Sequence, residues 1–258
     1  MDIITALITP YNKKGEIDFS KVDKLMEYQI MHKAKGVVLA GTTGEGMLLD
    51  ENEMLELFHH VAKKYYKDLL LILNVGMAST NKTIAFIKKI ESLHIQCDAY
   101  MIIIPYYLLP SFEGIYSHFL RIAEVSSKPL IVYDIPKRTG KCLKKEELLK
   151  ILQINGIIGI KEARPEQDLL AYLVNNTTKR VYAGNDSDYW KAQEVKASGI
   201  ISVMTNVNID IIKDESKRKM VENLIAYLNL YPNPYGIKKY MNEHGEYVGL
   251  PRAPLDKG

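Results

Sequence analysis

Gly156-Ile-Ile-Gly-Ile-Lys161-Glu162 is the stretch on which the fold turns. Residues 156–160 form an apolar run, the pattern of a parallel strand buried on both faces, and the run ends in a lysine. Working outward, seven more runs of this kind lie at 3–9, 36–40, 69–75, 99–104, 130–133, 180–184 and 199–203, with the decisive one placed at 157–161. Most are continuous in Ile, Leu and Val.

Amphipathic stretches separate these runs. Asp50 with Glu53 three residues on makes a capping-box pair. Met54, Leu57, Phe58, Val61, Ala62 and Tyr65 then follow at helical spacing. Thr83, Phe86, Ile87 and Ile90 repeat the pattern, as do Ile115, Phe119, Ile122 and Ala123. Eight strands joined by helical crossovers make a parallel sheet, either doubly wound or closed. The 258 residues lie close to the roughly 250 typical of the closed form, which favours closure. The expected class is therefore α/β, a (β/α)8 TIM barrel at 1–207, followed by a shortened C-terminal helical appendage at 208–258. In that appendage one helix is expected over 209–231, stopped by Tyr231-Pro-Asn-Pro234, and a second over 237–244.

Composition excludes several classes of protein. Apolar residues make up 47% and charged residues 25%, as in an ordinary globular domain with a core that needs no staples. The net charge of +3 is too small to imply nucleic acid or a membrane surface, and the lysines fall in scattered doublets. Cys97 and Cys142 are far apart and in no C-x-x-C pattern, so a disulfide framework or zinc site is not expected and a reducing compartment fits. The start of the chain lacks the pattern of a signal peptide, and no run approaches the roughly 20 apolar residues of a membrane span. A soluble, cytoplasmic protein is the expectation. The histidines form no ligand cluster, and His59-His60 lacks H-E-x-x-H spacing, so neither a metal nor another cofactor is implied.

In a (β/α)8 barrel every strand C-terminus opens onto one face, and the active site lies there. Thr42 and Thr43 follow the second run, Tyr106-Tyr107 the fourth, and Tyr133, Lys161 and Gly184 end the fifth, sixth and seventh. A lysine in a partly dehydrated cavity is biased toward its free amine, which attacks a carbonyl to form a Schiff base. The protonated imine then acts as an electron sink for a neighbouring carbon. A lysine merely snorkelling from the strand end, or paired with Glu162, fits the same position. Tyr133 offers a phenol for the proton transfers of imine formation, or simply a rim aromatic. Gly41-Thr-Thr-Gly-Glu-Gly46 brings hydroxyls and backbone N–H groups suited to a carboxylate, although a tight βα turn reads the same way. It is neither a P-loop nor a dinucleotide fingerprint. Arg138 lies in the same loop as Tyr133, placed either for bidentate grip on a second carboxylate or as a surface arginine.

The order of these motifs is more specific than any one of them. Gly41-Thr-Thr-Gly-Glu45, Pro105-Tyr-Tyr107, Tyr133-Asp-Ile-Pro136 with Arg138-Thr-Gly140, Gly159-Ile-Lys-Glu-Ala163, Gly184-Asn-Asp186 and Gly199-Ile-Ile-Ser-Val203 together resemble the dihydrodipicolinate synthase / N-acetylneuraminate lyase family of pyruvate-dependent aldolases. The likeness runs over about 3–207 and again, weakly, over 233–255. It implies that Lys161 is the Schiff-base lysine and that Tyr133, Thr42 and Tyr107 form a proton relay. It assigns Thr43 to the pyruvate carboxylate, and Gly184 and Ile201 to the pocket wall through backbone groups. Tyr107 matches a tyrosine that reaches into a neighbouring subunit's site, which implies a homodimer or homotetramer. The Pro-x-Arg-Thr-Gly loop points to the synthase branch, where Arg138 would hold the carboxylate of L-aspartate 4-semialdehyde for condensation with pyruvate in lysine and diaminopimelate synthesis. The alternatives are a 2-keto-3-deoxy sugar acid aldolase and a non-catalytic oxo-acid-binding paralogue.

Some positions depart from the family pattern. Asp134 replaces the usual Asn, Leu108-Leu109 replace Asn and a basic residue, Asn74 replaces a common Gly, and the C-terminal region is about 30 to 40 residues short, length being a soft guide. Glu51, Met54, Ala78 and Lys82 stand where lysine-inhibited members carry a lysine site, and weak or absent lysine inhibition is expected.

Overall fold

The computed structural model describes residues 1–164 and 167–257. Among the described residues eight strands close a parallel barrel whose order follows the chain, β1 to β8. They are β1 Asp2–Ala6, β2 Gly36–Leu39, β3 Leu70–Asn74, β4 Ala99–Ile103, β5 Leu130–Asp134, β6 Ile157–Glu162, β7 Arg180–Ala183 and β8 Gly199–Ser202. All eight apolar runs are strands. The first ends early, at Ala6 rather than Thr9, because Thr9 turns its hydroxyl to the Gly44 carbonyl at 2.6 Å and Pro10 follows.

The helices are α1 Phe19–Met31, α2 Glu51–Tyr65, α3 Thr80–Ser92, α4 Phe112–Val125, the single turn α5 Pro136–Thr139, α6 Lys145–Leu152, α7 Gln167–Asn176, α8 Tyr189–Glu194, α9 Arg218–Leu228 and α10 Tyr235–Glu243. Helix α2 begins where the capping box places it: Glu53 N donates to Asp50 at 2.9 Å and Asp50 N to Glu53 at 3.0 Å. Its buried stripe contains the six residues read from the periodicity. In α4 the stripe is Ile115, His118, Phe119 and Ile122, and Ala123 is only half buried.

The single helix expected over 209–231 is instead two short 3₁₀ turns, Ile211–Lys213 and Glu215–Lys217, followed by α9. Asp214 causes the break. Its carboxylate accepts from Ser216 N at 3.0 Å and Ser216 Oγ at 2.6 Å, a local alternative to the helical ladder that aspartate offers readily. The second C-terminal helix is present as α10.

The chain resolves into two compact units, Met1–Asp2 with Ile72–Ile201, and Ile3–Leu71 with Ser202–Gly258. In the first, β5, β6 and β7 pair so that Tyr133, Lys161 and Tyr182 are in register, and next along are Asp134, Glu162 and Ala183. Strand side chains alternate between faces, so the first trio shares one face and the second the other. Gly159 permits this close pairing, since a Cβ there would stand 2.5 Å from the Arg180 carbonyl oxygen. In the second unit, β1 and β2 pair in parallel, and the buried Thr5 hydroxyl bonds Gln29 of α1 at 2.6 Å and Thr205 at 2.8 Å. Among the described residues no helix is long and apolar enough to cross a membrane.

Candidate active site

The decisive stretch delivers its lysine into a protected place. Lys161 is 5% exposed and Tyr133 4% exposed, and the Lys161 Nζ lies 4.4 Å from the centre of the Tyr133 ring. Adjacent strands in register bring them together, so their spacing is set by the sheet rather than by loops. A buried amine on an aromatic face, next to a phenol, is placed for carbonyl addition with a proton donor at hand.

The other face of β5 and β6 carries a charge system. The Arg164 Nε donates to Asp134 Oδ2 at 2.6 Å, with side chains 4% and 0% exposed. Arg164 also sends Nη1 to the Cys142 sulfur at 3.1 Å, and its backbone N donates to Glu162 Oε1 at 2.5 Å. Burial, with Asp134 and Asp188 nearby, pushes the Glu162 carboxyl up to about 8, the hydrogen bond from Arg164 N only partly opposing this. Asp134, a departure from the family pattern, is therefore matched by an arginine two residues beyond Glu162. Glu162, with its partner carboxylate Asp134 taking the guanidinium, keeps its own proton near neutrality.

Arg138 sits on α5, exposed, in a turn opened by Pro136 and closed by Gly140 in the left-handed region at φ 73°. Tyr107 N donates to the Thr139 carbonyl at 3.3 Å, which ties the loop after β4 to α5. Tyr107 itself is 88% exposed with φ 69°, and Leu108 and Leu109 are also exposed. Gly184 N donates to the Glu162 carbonyl at 2.6 Å, which leaves its carbonyl as the polar group to offer. Ile201 is fully buried in β8. Lys161 and Tyr133 are thus brought into contact, and the Tyr107 and Arg138 loops are joined through backbone.

In the second unit, Thr42 and Thr43 lie in the loop after β2. Thr42 is half buried, and Thr43 is buried with its Oγ1 accepting from Asn233 Nδ2 at 3.0 Å. Glu45, in the same loop, has its Oε1 2.5 Å from the Lys238 ammonium, both side chains being wholly buried. Burial drives Lys238 down to about 8 against the opposing pull of Glu45. Asn233, Lys238 and the Asp134–Arg164 pair were not singled out by motif. One signal was available: Lys238 falls on the buried stripe of α10 with Ile237 and Met241, where a lysine requires a buried partner.

The fold is a closed parallel α/β barrel, and its β5 and β6 hold a buried lysine against a buried tyrosine ring. The chain belongs to the dihydrodipicolinate synthetase family, whose model it matches over residues 1–257. It is 35% identical to the 4-hydroxy-tetrahydrodipicolinate synthase of Streptococcus gordonii, with 98% of this chain and 86% of that protein covered. It is 33% identical to the enzyme of that name from Enterococcus faecalis, over 98% of this chain and 92% of the relative. Among solved structures, the chloride-inhibited dihydrodipicolinate synthase of Acinetobacter baumannii complexed with pyruvate aligns with a TM-score of 0.91 at 30% identity, covering 98% of this chain and 92% of that one.

Proposed function

We propose that this protein condenses pyruvate with L-aspartate 4-semialdehyde to 4-hydroxy-tetrahydrodipicolinate through a Schiff base on Lys161. The observation that carries the reading is the buried Lys161 amine set 4.4 Å over the Tyr133 ring. The family relationship and the pyruvate-bound relative support the same chemistry.

The Lys161 amine adds to C2 of pyruvate, and loss of water from the carbinolamine gives an iminium. The iminium withdraws electrons from C3, which gives up a proton and becomes an enamine nucleophile. Attack on the aldehyde carbon forms the new C–C bond. The amino group of the semialdehyde then replaces Lys161 at C2, closing the ring and freeing the enzyme. Tyr133 moves protons at the carbinolamine and iminium steps, with Thr42 and Tyr107 completing the relay. Thr43 takes the pyruvate carboxylate, and Gly184 and Ile201 line the pocket through backbone. Arg138 grips the semialdehyde carboxylate, a geometry for which a planar guanidinium is suited. The exposed Tyr107 supports an assembly in which it reaches a second copy of the chain.

The acceptor is tested with a panel of aldehydes assayed against pyruvate, in parent and Arg138→Ala. The reading predicts turnover of aspartate semialdehyde and a fall of about 10- to 100-fold in kcat/KM on losing a charge-assisted bond. Turnover of a neutral sugar aldehyde, untouched by the substitution, would move the protein to the sugar-acid aldolases.

A further inference from the structure

The segment 40–46 holds a conformation that its own residues do not favour. Ala40 and Glu45 both lie in the left-handed region, at φ 51° and 57°, where a side chain costs roughly 1–2 kcal/mol. At Gly46 a Cβ would stand 1.9 Å from the Ala40 carbonyl oxygen, so the turn admits only glycine there. External contacts hold this shape. The Glu45 carboxylate lies 2.5 Å from Lys238 through one oxygen and accepts the Arg252 backbone N–H at 2.8 Å through the other. Lys238 Nζ rests 4.0 Å from the centre of the Tyr11 ring.

Helix α10 therefore brings Lys238 to the loop, and Asn233, two residues before the helix, brings its amide to Thr43 Oγ1 at 3.0 Å. A threonine hydroxyl has one hydrogen and two lone pairs. With a lone pair filled by the Asn233 N–H, the hydroxyl hydrogen is directed to an acceptor, and a carboxylate is acceptor only.

We propose that Asn233 is a positioning residue that fixes Thr43 as a hydrogen-bond donor to the carboxylate of the 2-oxo acid substrate. The segment from Asn233 through α10 is then part of the substrate-binding apparatus, with Lys238 and Arg252 keeping the Thr43 loop in register. This rests on the assignment of Thr43 to the pyruvate carboxylate.

The test uses the full chain and pyruvate alone, which makes it independent of the acceptor aldehyde. The pyruvate concentration for half-maximal borohydride trapping on Lys161 is measured by intact mass in the parent, Thr43→Val, Asn233→Ala, Asn233→Asp and Asn233→Ser. Aspartate at 233 accepts the hydrogen bond that the Thr43 hydroxyl would otherwise donate and sets a like charge behind it, so a rise of about tenfold or more is expected, near that of Thr43→Val. Alanine raises the value less, and serine, which keeps a donor, returns it toward the parent. Maximal trapping at saturating pyruvate changes little in each. A merely structural role would lower thermal stability without this ordering of pyruvate requirement. Half-saturation unchanged in Asn233→Asp while Thr43→Val raises it would overturn the proposal and leave the Thr43 assignment standing. Unchanged half-saturation in Thr43→Val, or no trapping in the parent, would remove the assignment and the proposal with it. Should Asn233→Asp not fold, the alanine–serine comparison decides: equal values for the two refute the proposal.

Discussion

Replacing Arg164 with methionine isolates the buried charge system behind the lysine–tyrosine pair. Methionine keeps much of the length and apolar stem but removes the guanidinium 2.6 Å from the Asp134 carboxylate, whose side chain is 0% exposed. Removing one partner of a buried ion pair costs about 3–5 kcal/mol, because the remaining charge is desolvated without compensation. For a domain of this size each kcal/mol moves Tm by about 2–4 °C, so Arg164→Met should melt roughly 6–20 °C below the parent. Asp134→Asn alone leaves the guanidinium without its carboxylate and is also destabilising. The double variant removes both members of the pair and should return to within about 2 kcal/mol of the parent, giving a coupling energy of at least about 2 kcal/mol. Urea unfolding of the four proteins at pH 7, followed by far-UV circular dichroism, supplies the cycle. Additive single effects, or an Arg164→Met loss below about 1 kcal/mol, would refute the buried-pair argument.

Glu162 makes a pH-dependent contribution of defined sign. Its proton is held up to about pH 8 in the folded state but leaves near the ordinary 4.5 in the unfolded chain, so the unfolded state binds fewer protons between those values. Stability attributable to Glu162 is full below 4.5 and is lost as pH rises through about 8, a change of about 3–5 kcal/mol. Glu162→Gln should match the parent near pH 5 and exceed it near pH 8.5 in urea melts; parallel stability curves would show that Glu162 ionises normally. Lysine should inhibit weakly or not at all, since Met54 is 5% exposed and turned into the core at a position matched to the inhibitor site of lysine-sensitive members. A millimolar lysine titration that abolished activity would contradict this.

Much of the architecture was legible because a parallel barrel writes its strands as continuous apolar runs and its helices as amphipathic stripes. The capping box of α2 and the stripes of α2 and α3 follow from local periodicity alone. The break at Asp214 was hidden, because apolar spacing continues through a residue whose carboxylate competes for the backbone. Lys161 and Tyr133 were placed at successive strand ends, and register converts that into contact. The Lys238–Glu45, Asn233–Thr43 and Arg164–Asp134 partnerships were not legible. Each joins residues distant in the chain, and a lone lysine, asparagine or aspartate carries no sign of its partner. The aspartate after Tyr133 was visible as a departure, but only the packed structure shows the arginine that balances it.

The central claim is that the lysine ending Gly156-Ile-Ile-Gly-Ile-Lys161 forms a covalent imine with pyruvate. Borohydride reduction of the enzyme with pyruvate, followed by intact mass and peptide mapping, tests it directly. A single reduced pyruvyl adduct on Lys161 is expected, absent in Lys161→Arg and slowed in Tyr133→Phe. No adduct, or an adduct on another lysine that persists in Lys161→Arg, would contradict it.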